Sequence, residues 1–556
     1  MQLGTEHMQQ LAGVEPIYIL TEGSSRTQGQ DARYMNIAAA KAVSKAVRST
    51  LGPNGMDKML VDGLGDIIIT NDGATILKEM DIESPAAKMM VEVAKTQDDE
   101  TGDGTTTAVV IAGELLKQAE ELLNQNIHPT TICEGFYASA LYSKKTLSDI
   151  SFDVTVHNTE LLRNIAETTF TSRIADSVKS KFCDMIIKAV TLVAGPDGRV
   201  DPAHIKMEKK VGGSVGDSMV VQGMVIDKER AHPGMPKEIL DAKILLLNAA
   251  VELKKTDTSA KIHIESPGQE QAFLDEEVRM VREMAEKIVK SGATVLFCQK
   301  GIDDSAQDYL AKAGILAVRR VKQSDIKNLA RATGGSIINT VDGISKKNLG
   351  SAGLVVEKEI AGEDMILVSE CKDPKAVSII IHGGTSHVVD ELERSLHDTL
   401  MVVAGVISDK KAVAGGGSPE IELSLRLMKY AAGQGGRIQL AIEAFSKALE
   451  IIPKTLAENS GYDTIDTIVN LKHAHEEGRI SYGLDVFTGA PADMKRYGVI
   501  EPLKVKVQSI MSATEAANMI LRIDDVIASS NAGQGVPNPG DMGGMPPGMG
   551  GYPGME

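Results

Sequence analysis

The chain changes character twice along its length, and this alternation limits the available folds more than any single motif does. From about Ala32 to Val190 the sequence is Ala-rich with helical spacing. From Gly195 it becomes strand-like, and helical spacing returns at about Ser386 and runs to Leu521. The spacing predicts a helix over Asn36–Ser49 ending at Leu51-Gly52-Pro53, where glycine suits the cap and proline cannot continue. A second helix begins at Ser84-Pro85, an N-cap followed by proline at the first helical position. Between them, Lys58–Val61 and Asp66–Thr70 read as a strand pair joined through Asp62-Gly63. Beyond the turn Gly195-Pro196-Asp197-Gly198, short strands are expected at Met219–Ile226, Lys243–Leu247, Thr294–Phe297, Ile315–Val318 and Leu354–Glu357, with helices among them.

A helical, then mixed, then helical text is most simply built as a helical base from both chain ends carrying an α/β insertion. At 556 residues the chain exceeds what one core can serve, and roughly two to four domains are expected. Gly212-Gly213 on the way out and Gly383-Gly384 on the way back are candidate hinges. After Ser529 the sequence is mostly Gly, Pro and Met, which can neither bury a core nor hold a helix, so a disordered tail is expected.

Composition removes several function classes. A formal net charge of −17 argues against a nucleic-acid binder, which needs a basic footprint to neutralise phosphates. No apolar run approaches the ~20 residues that span a bilayer. The first twenty residues lack a basic segment followed by an apolar one, so no secretory signal is read and a cytoplasmic location is expected. Cys133, Cys183, Cys298 and Cys371 are widely separated without C-x-x-C pairing, which suits small buried hydrophobes in a reducing compartment. With no Trp and 3% aromatics, the cores must rest on aliphatic residues and the 25 Met.

Chemistry concentrates in four glycine turns. Gly102-Asp103-Gly104-Thr105-Thr106-Thr107 directly precedes the apolar run Ala108–Leu116. It reads as a helix N-terminus aimed at a phosphate, with free N–H groups, three hydroxyl donors, and Asp103 placed to hold a Mg²⁺. The alternative is a capped helix with a glycine turn. Leu51-Gly52-Pro53-Asn54-Gly55, Asn71-Asp72-Gly73-Ala74-Thr75 and Ala414-Gly415-Gly416-Gly417-Ser418 are each ordinary turns alone. No G-x-x-x-x-G-K-[ST] or strand-linked G-x-G-x-x-G is present, which removes P-loop and Rossmann sites.

Together, Leu51–Leu60 (LGPNGMDKML), Thr70–Ile76 (TNDGATI), Gly102–Val109 (GDGTTTAV), Ala414–Gly417, Leu484–Gly489 (LDVFTG) and the Gly/Met tail resemble the group II chaperonins. The likeness is to archaeal thermosome subunits, relatives of the eukaryotic cytosolic chaperonin, and it runs in order along the whole chain. It implies a multidomain fold: a helical equatorial domain from both ends (1–156 and 411–530), an α/β intermediate domain (157–222 and 377–410), and an α/β apical domain (223–376). The apical domain would carry a helical lid at about 257–290, and 531–556 would be the tail. The resemblance further implies an ATP-dependent chaperone, a double ring (a hexadecamer) formed with other chaperonin subunits, and unfolded polypeptides as substrates. Neither nucleic acid nor membrane is an expected partner. Its cofactors would be ATP and Mg²⁺. Carried over by position, Asp103 would bind Mg²⁺, while Leu51, Gly52, Pro53, Gly104, Thr105, Thr106 and Thr107 would cradle the phosphates. Gly416 would contact the ribose side, and Asp485 and Glu501 the nucleoside. Asp72 and Asp398 would orient the attacking water, Asp398 from a helix starting near Ser386 that reaches the nucleotide when the intermediate domain swings down. Read from the residues alone, Asp398 is a solvated helix carboxylate. Two positions depart from the family pattern: Asn54 stands where Lys is frequent, and Arg173 stands at the phosphate-sensing Lys. They keep open a ring subunit of poor hydrolysis, and a stand-alone phosphotransferase is the weaker alternative.

In the insertion, Ser266-Pro267 opens a long helix to about Lys290. Leu274, Val278, Val281, Ala285 and Ile288 form one stripe, expected to be packing. Phe273, Met280 and Met284 form a second, either core or a contact surface for neighbours or substrate.

Overall fold

The computed structural model describes residues 25–528 apart from 62, 64, 171–174, 196–197, 254–266 and 373. Its helical part draws on both ends of the chain. Helices Gly29–Arg48, Pro85–Thr101, Thr105–Asn124 and Pro129–Ile150 pack with Ser418–Gln434, Gly436–Leu449 and Leu503–Leu521 around one core. Thr105–Asn124 lies at its centre, buried without a break from Thr105 to Gly113, as an apolar run with no polar face must be. An antiparallel pair, Ser25–Gln28 with Asp525–Ala528, closes the two ends on each other.

The first helix starts at Gly29, a full seven residues ahead of the expected Asn36, because its first turns (GQDARYM) are too polar to show the apolar stripe. Ser84 occupies the N-cap of Pro85–Thr101 as read, but its side chain makes no capping hydrogen bond, so proline carries that start. Lys58–Val61 pairs antiparallel with Ile67–Thr70.

A second core lies under helices Thr159–Thr169, Asp176–Val193 and Ser386–Asp409. These cover a three-stranded sheet with Val377–Gly383 at the centre, parallel to Ile205–Val211 and antiparallel to Met219–Val221. The central strand is buried at every residue, as a strand covered on both faces must be. A seven-stranded sheet runs in the order Leu316–Val318, Val295–Cys298, Glu238–Leu247, Gly350–Ile360, Glu363–Ser369, Gly223–Ile226, with Ile337–Ile338 pairing to Glu238–Leu247 off that path. Apolar cores fill both its faces. The whole is a multidomain fold with a helical base and α/β parts inserted between its halves.

The expected single strand Met219–Ile226 is two strands in different sheets. The break falls at Gln222, just before Gly223, whose φ is 143° and whose absent Cβ would stand 2.0 Å from the Val368 carbonyl oxygen. Only glycine fits there. The candidate hinges Gly212 and Gly383 face each other at the end of the three-stranded sheet, where the Gly212 N–H donates to the Gly383 carbonyl at 2.8 Å. In helix Pro267–Lys290, Val281, Ala285 and Ile288 are core, whereas Val278 is 55% exposed, because the helix leaves the body toward its N-terminus. Of the softer stripe, Met280 is exposed and Met284 packs on the core. The remaining lid segment to 266, the side chains of Phe273 and Leu274, and the Gly/Met tail lie outside the described residues.

Candidate active site

The helix Pro85–Thr101 ends in a left-handed glycine, Gly102 (φ 67°), and the next helix begins one residue after a second, Gly104 (φ 79°). Both conformations disfavour any side chain, and space forbids one too. A Cβ on Gly102 would stand 2.4 Å from Met401 Cβ, and one on Gly104 would stand 2.8 Å from Val505 Cγ1. Gly104 brings no side chain to cap Thr105–Asn124, so the first-turn N–H groups have no side-chain acceptor at the N-cap and the positive end of a long buried helix is bare. Asp103 stands at that end. Its Oδ1 accepts the Gly104 N–H at 2.5 Å, and its carbonyl accepts from Gln97 Nε2 (2.8 Å) and the Thr101 hydroxyl (2.9 Å).

The hydroxyls of Thr105 and Thr106 both turn to the Asp72–Gly73 segment. Thr105 donates to Asp72 Oδ1 at 3.0 Å, and Thr106 Oγ1 faces Gly73, 2.5 Å from where a Cβ would be. Asp72 caps the short helix Gly73–Glu79 through the Ala74 and Thr75 N–H groups, which fixes its carboxylate against the turn.

Asp398 comes to the same place from helix Ser386–Asp409, which packs directly on the glycine turn: the Asp398 carbonyl oxygen lies 3.3 Å from the Cβ position of Gly102. Asp72, Asp98 and Asp398 line one cleft of about 560 Å³ with Arg394 and His397. Burial, then Asp72, Asp98, Asp103 and Glu391, push the Asp398 carboxyl well above the usual carboxylate range. Burial and then Asp72, Asp99 and Asp103 push Asp98 up to about 6. Asp103 is also raised, by burial, against the Gly104 N–H, Lys506 and the Thr169 hydroxyl. Such an excess of neighbouring carboxylates stores unfavourable charge that a cation relieves.

The remaining glycine turns gather around helix Ile451–Asn459. Gly52 (φ 82°) would put a Cβ 2.4 Å from Leu456 Cδ2, Gly417 abuts Pro453, and the Leu51 carbonyl accepts Asn459 Nδ2 at 2.9 Å. Pro53 completes that loop, and Asn54 Nδ2 donates to the Ser460 hydroxyl at 3.1 Å. Gly416 (φ 64°) presses on Met494 and accepts the Leu484 N–H at 2.9 Å, which brings Asp485 beside it. The Asp485 carboxylate nevertheless turns into its own loop, accepting the Phe487 N–H (3.0 Å) and the Thr488 hydroxyl (2.7 Å). Glu501, on the strand paired with Lys411–Ala414, has Oε2 bound to Lys506. Arg173 lies outside the described residues.

Asp98, Glu420 and Lys506 escaped the sequence reading. Lys506 left one signal: it falls on the same face of its helix as Ser509, Ile510, Ala513 and Ala517, all buried.

A helical base from both chain ends, α/β parts inserted between them, and an acidic glycine turn at a bare buried helix end define a chaperonin. The chain belongs to the TCP-1/cpn60 chaperonin family, whose model matches residues 43–531. It is 56% identical over 538 residues to a thermosome subunit beta of Methanothermobacter thermautotrophicus, covering 96% of this chain and 99% of that one. It is 57% identical to a thermosome subunit beta of Thermococcus kodakarensis over 94% of this chain and 96% of the relative. Among solved structures it is similar to an open-state monomer of a group II chaperonin from Methanococcoides burtonii, at 47% identity and a TM-score of 0.58, over 76% of this chain and all of that one. Among the described residues no helix is long and apolar enough to cross a membrane.

Proposed function

We propose that the chain is an ATP-hydrolysing subunit of a cytoplasmic double-ring chaperonin, a hexadecamer, that encloses and folds non-native polypeptides. The observation that carries this is the meeting of Asp72, Asp98, Asp103 and Asp398 at the bare N-terminus of Thr105–Asn124. Among the described residues no three acidic, His or Cys side chains form a ready cage for a metal. That fits Mg²⁺, which keeps waters and takes one or two carboxylates plus substrate phosphates. Asp103 would hold it, and when bound it would neutralise charge on the phosphate oxygens.

The chain's own groups do the rest. The N–H groups of Gly104 to Thr107 and the helix dipole bind phosphate oxygens, with Leu51, Gly52 and Pro53 closing the other side. Gly416, Asp485 and Glu501 take the nucleoside, the first because its backbone can approach closely. Asp72, fixed by its cap, and Asp398, brought by the helix on Gly102, orient water for attack, and Arg173 senses the phosphate. In this reading the helical base, the part around the three-stranded sheet and the part around the seven-stranded sheet are the equatorial (1–156, 411–530), intermediate (157–222, 377–410) and apical (223–376) domains. Because Asp398 belongs to the intermediate domain, lifting its helix off Gly102 would separate the two water-orienting carboxylates, which ties hydrolysis to closure.

The deciding experiment is refolding of a denatured test protein by the purified chain alone, with phosphate release followed alongside. ATP-dependent recovery of the test protein is expected. Rings that assemble but release no phosphate would leave a structural ring subunit, and a chain that hydrolyses ATP without forming rings would be a different kind of enzyme.

A further inference from the structure

The helix that brings Asp398 to the cleft carries another carboxylate to the base two turns earlier. Glu391 and Arg394 stand seven and four residues before Asp398 on Ser386–Asp409, so all three share one face. Arg394 and Asp398 line the cleft with Asp72. Glu391 Oε2 lies 3.1 Å from Arg394 Nη2. Both that oxygen and the Arg394 Nε–H are buried, and among the described residues neither makes a hydrogen bond. Burial lifts the Glu391 carboxyl above the usual range. Arg394 draws it down, Asp72 and Asp57 push it up, and the Thr70 hydroxyl beside it draws it down.

Thr70 ends the strand Ile67–Thr70 and is 1% exposed. Its hydroxyl accepts the Asp72 N–H at 3.2 Å. A hydroxyl accepts and donates at once, so the same oxygen can offer its proton to a carboxylate. A buried carboxylate oxygen left without a donor is costly, and the Thr70 hydroxyl is the donor at hand. Asp72 is therefore within reach of the helix by a route separate from Asp398, through Glu391 and Thr70 to the Asp72 backbone.

We propose that Glu391 is a positioning residue for hydrolysis, which seats helix Ser386–Asp409 on the Thr70 hydroxyl and so sets Asp398 in register with Asp72. This rests on the ATP-hydrolysing reading above. Two carboxylates that orient one water must be held closely, since a misplacement of about 1 Å costs about 10²-fold in rate. Glu391 acts only through Thr70 and the helix that it shares with Asp398.

The test follows single-turnover ATP hydrolysis by the assembled full chain beside Mg²⁺-ADP binding in calorimetry. Glu391→Ala should slow hydrolysis about tenfold or more while ADP affinity stays within about threefold. Glu391→Gln should recover most of that loss, because its amide oxygen still accepts from Thr70. Thr70→Val keeps the buried shape without the hydroxyl and should slow hydrolysis at least as much, with Thr70→Ser restoring most of the rate. Because the two residues form one contact, Glu391→Ala/Thr70→Val should be no slower than the slower single variant. Rate losses that multiply in the double variant overturn the proposal, and so does normal hydrolysis in Glu391→Ala. ADP affinity that falls together with the rate also overturns it, since a merely structural carboxylate predicts that. Should Glu391→Ala fail to assemble, equal rates in Thr70→Val and Thr70→Ser overturn the proposal, and a rate restored by serine upholds it. A wild type that forms rings yet hydrolyses no ATP overturns the functional reading itself.

Discussion

Asp398 is where a reacting carboxylate and a merely structural one differ most in what they predict. A water-orienting group lost to Asp398→Ala should slow hydrolysis by about 10²–10⁴ while ATP still binds. A solvated helix carboxylate would change stability by no more than about 0.5 kcal/mol and leave turnover normal. Single-turnover hydrolysis measured beside ATP binding separates them. Asp103→Ala should instead weaken Mg²⁺-dependent nucleotide binding, and unchanged affinity in calorimetry would remove Asp103 from the metal site. The raised carboxyls set a pH dependence of known sign. A carboxyl raised to about 6, as at Asp98, binds more protons folded than unfolded, so its stabilising contribution is present at low pH and is lost as pH rises through about 6. Asp98→Asn should therefore weaken the pH dependence of the nucleotide-free protein between about 4 and 7, seen as a melting temperature that falls less across that window than in the wild type. Asp103 stands in a distinctive string that points to a phosphate turn, whereas Asp398 stands in none and is singled out only through the family resemblance. Lys506 could not be placed at all, since Glu420 lies 86 residues away and the sequence carries no trace of their meeting.

At the scale of elements, the contact that matters most is helix Ser386–Asp409 lying on Gly102. Gly102→Ala forces a Cβ into Met401 Cβ at 2.4 Å and strains a left-handed residue, so the helix must lift. Hydrolysis should fall about tenfold or more, in line with a misplaced reacting group, while the fold persists. Gly405→Ala on the same helix meets nothing within 4 Å and serves as the silent control. Equal activity of the two variants would show that this contact does not position the chemistry. The periodic elements were legible because their apolar spacing is a local property of the chain. Gly223 shows where that fails: nothing in Met219–Ile226 reveals that Val368 closes on its backbone and splits one strand into two. Val278 shows the same for a stripe, which records a helical face but not how far along the helix its cover extends.

On the scale of the whole molecule, the strand pair Ser25–Gln28 and Asp525–Ala528 joins the two halves of the helical base, and the Gly/Met composition after Ser529 offers little that could bury a core. Deleting 532–556 should leave the rings assembled, and a truncated chain that sediments only as a monomer would refute this. The alternation of helical and mixed text gave the base-and-insertion plan correctly, because each stretch is long enough to carry its own period. The base itself has a consequence for synthesis. Phe136 packs edge-on against Phe445, and Thr105–Asn124 is enclosed by Leu503–Leu521. The first helices to leave the ribosome thus wait with their apolar faces open until almost the last residue is made, while the sheets between them can close on their own. Birth order and folding order run opposite ways in this chain, and the half-made base is the stretch of its life in which it most needs shelter from its neighbours.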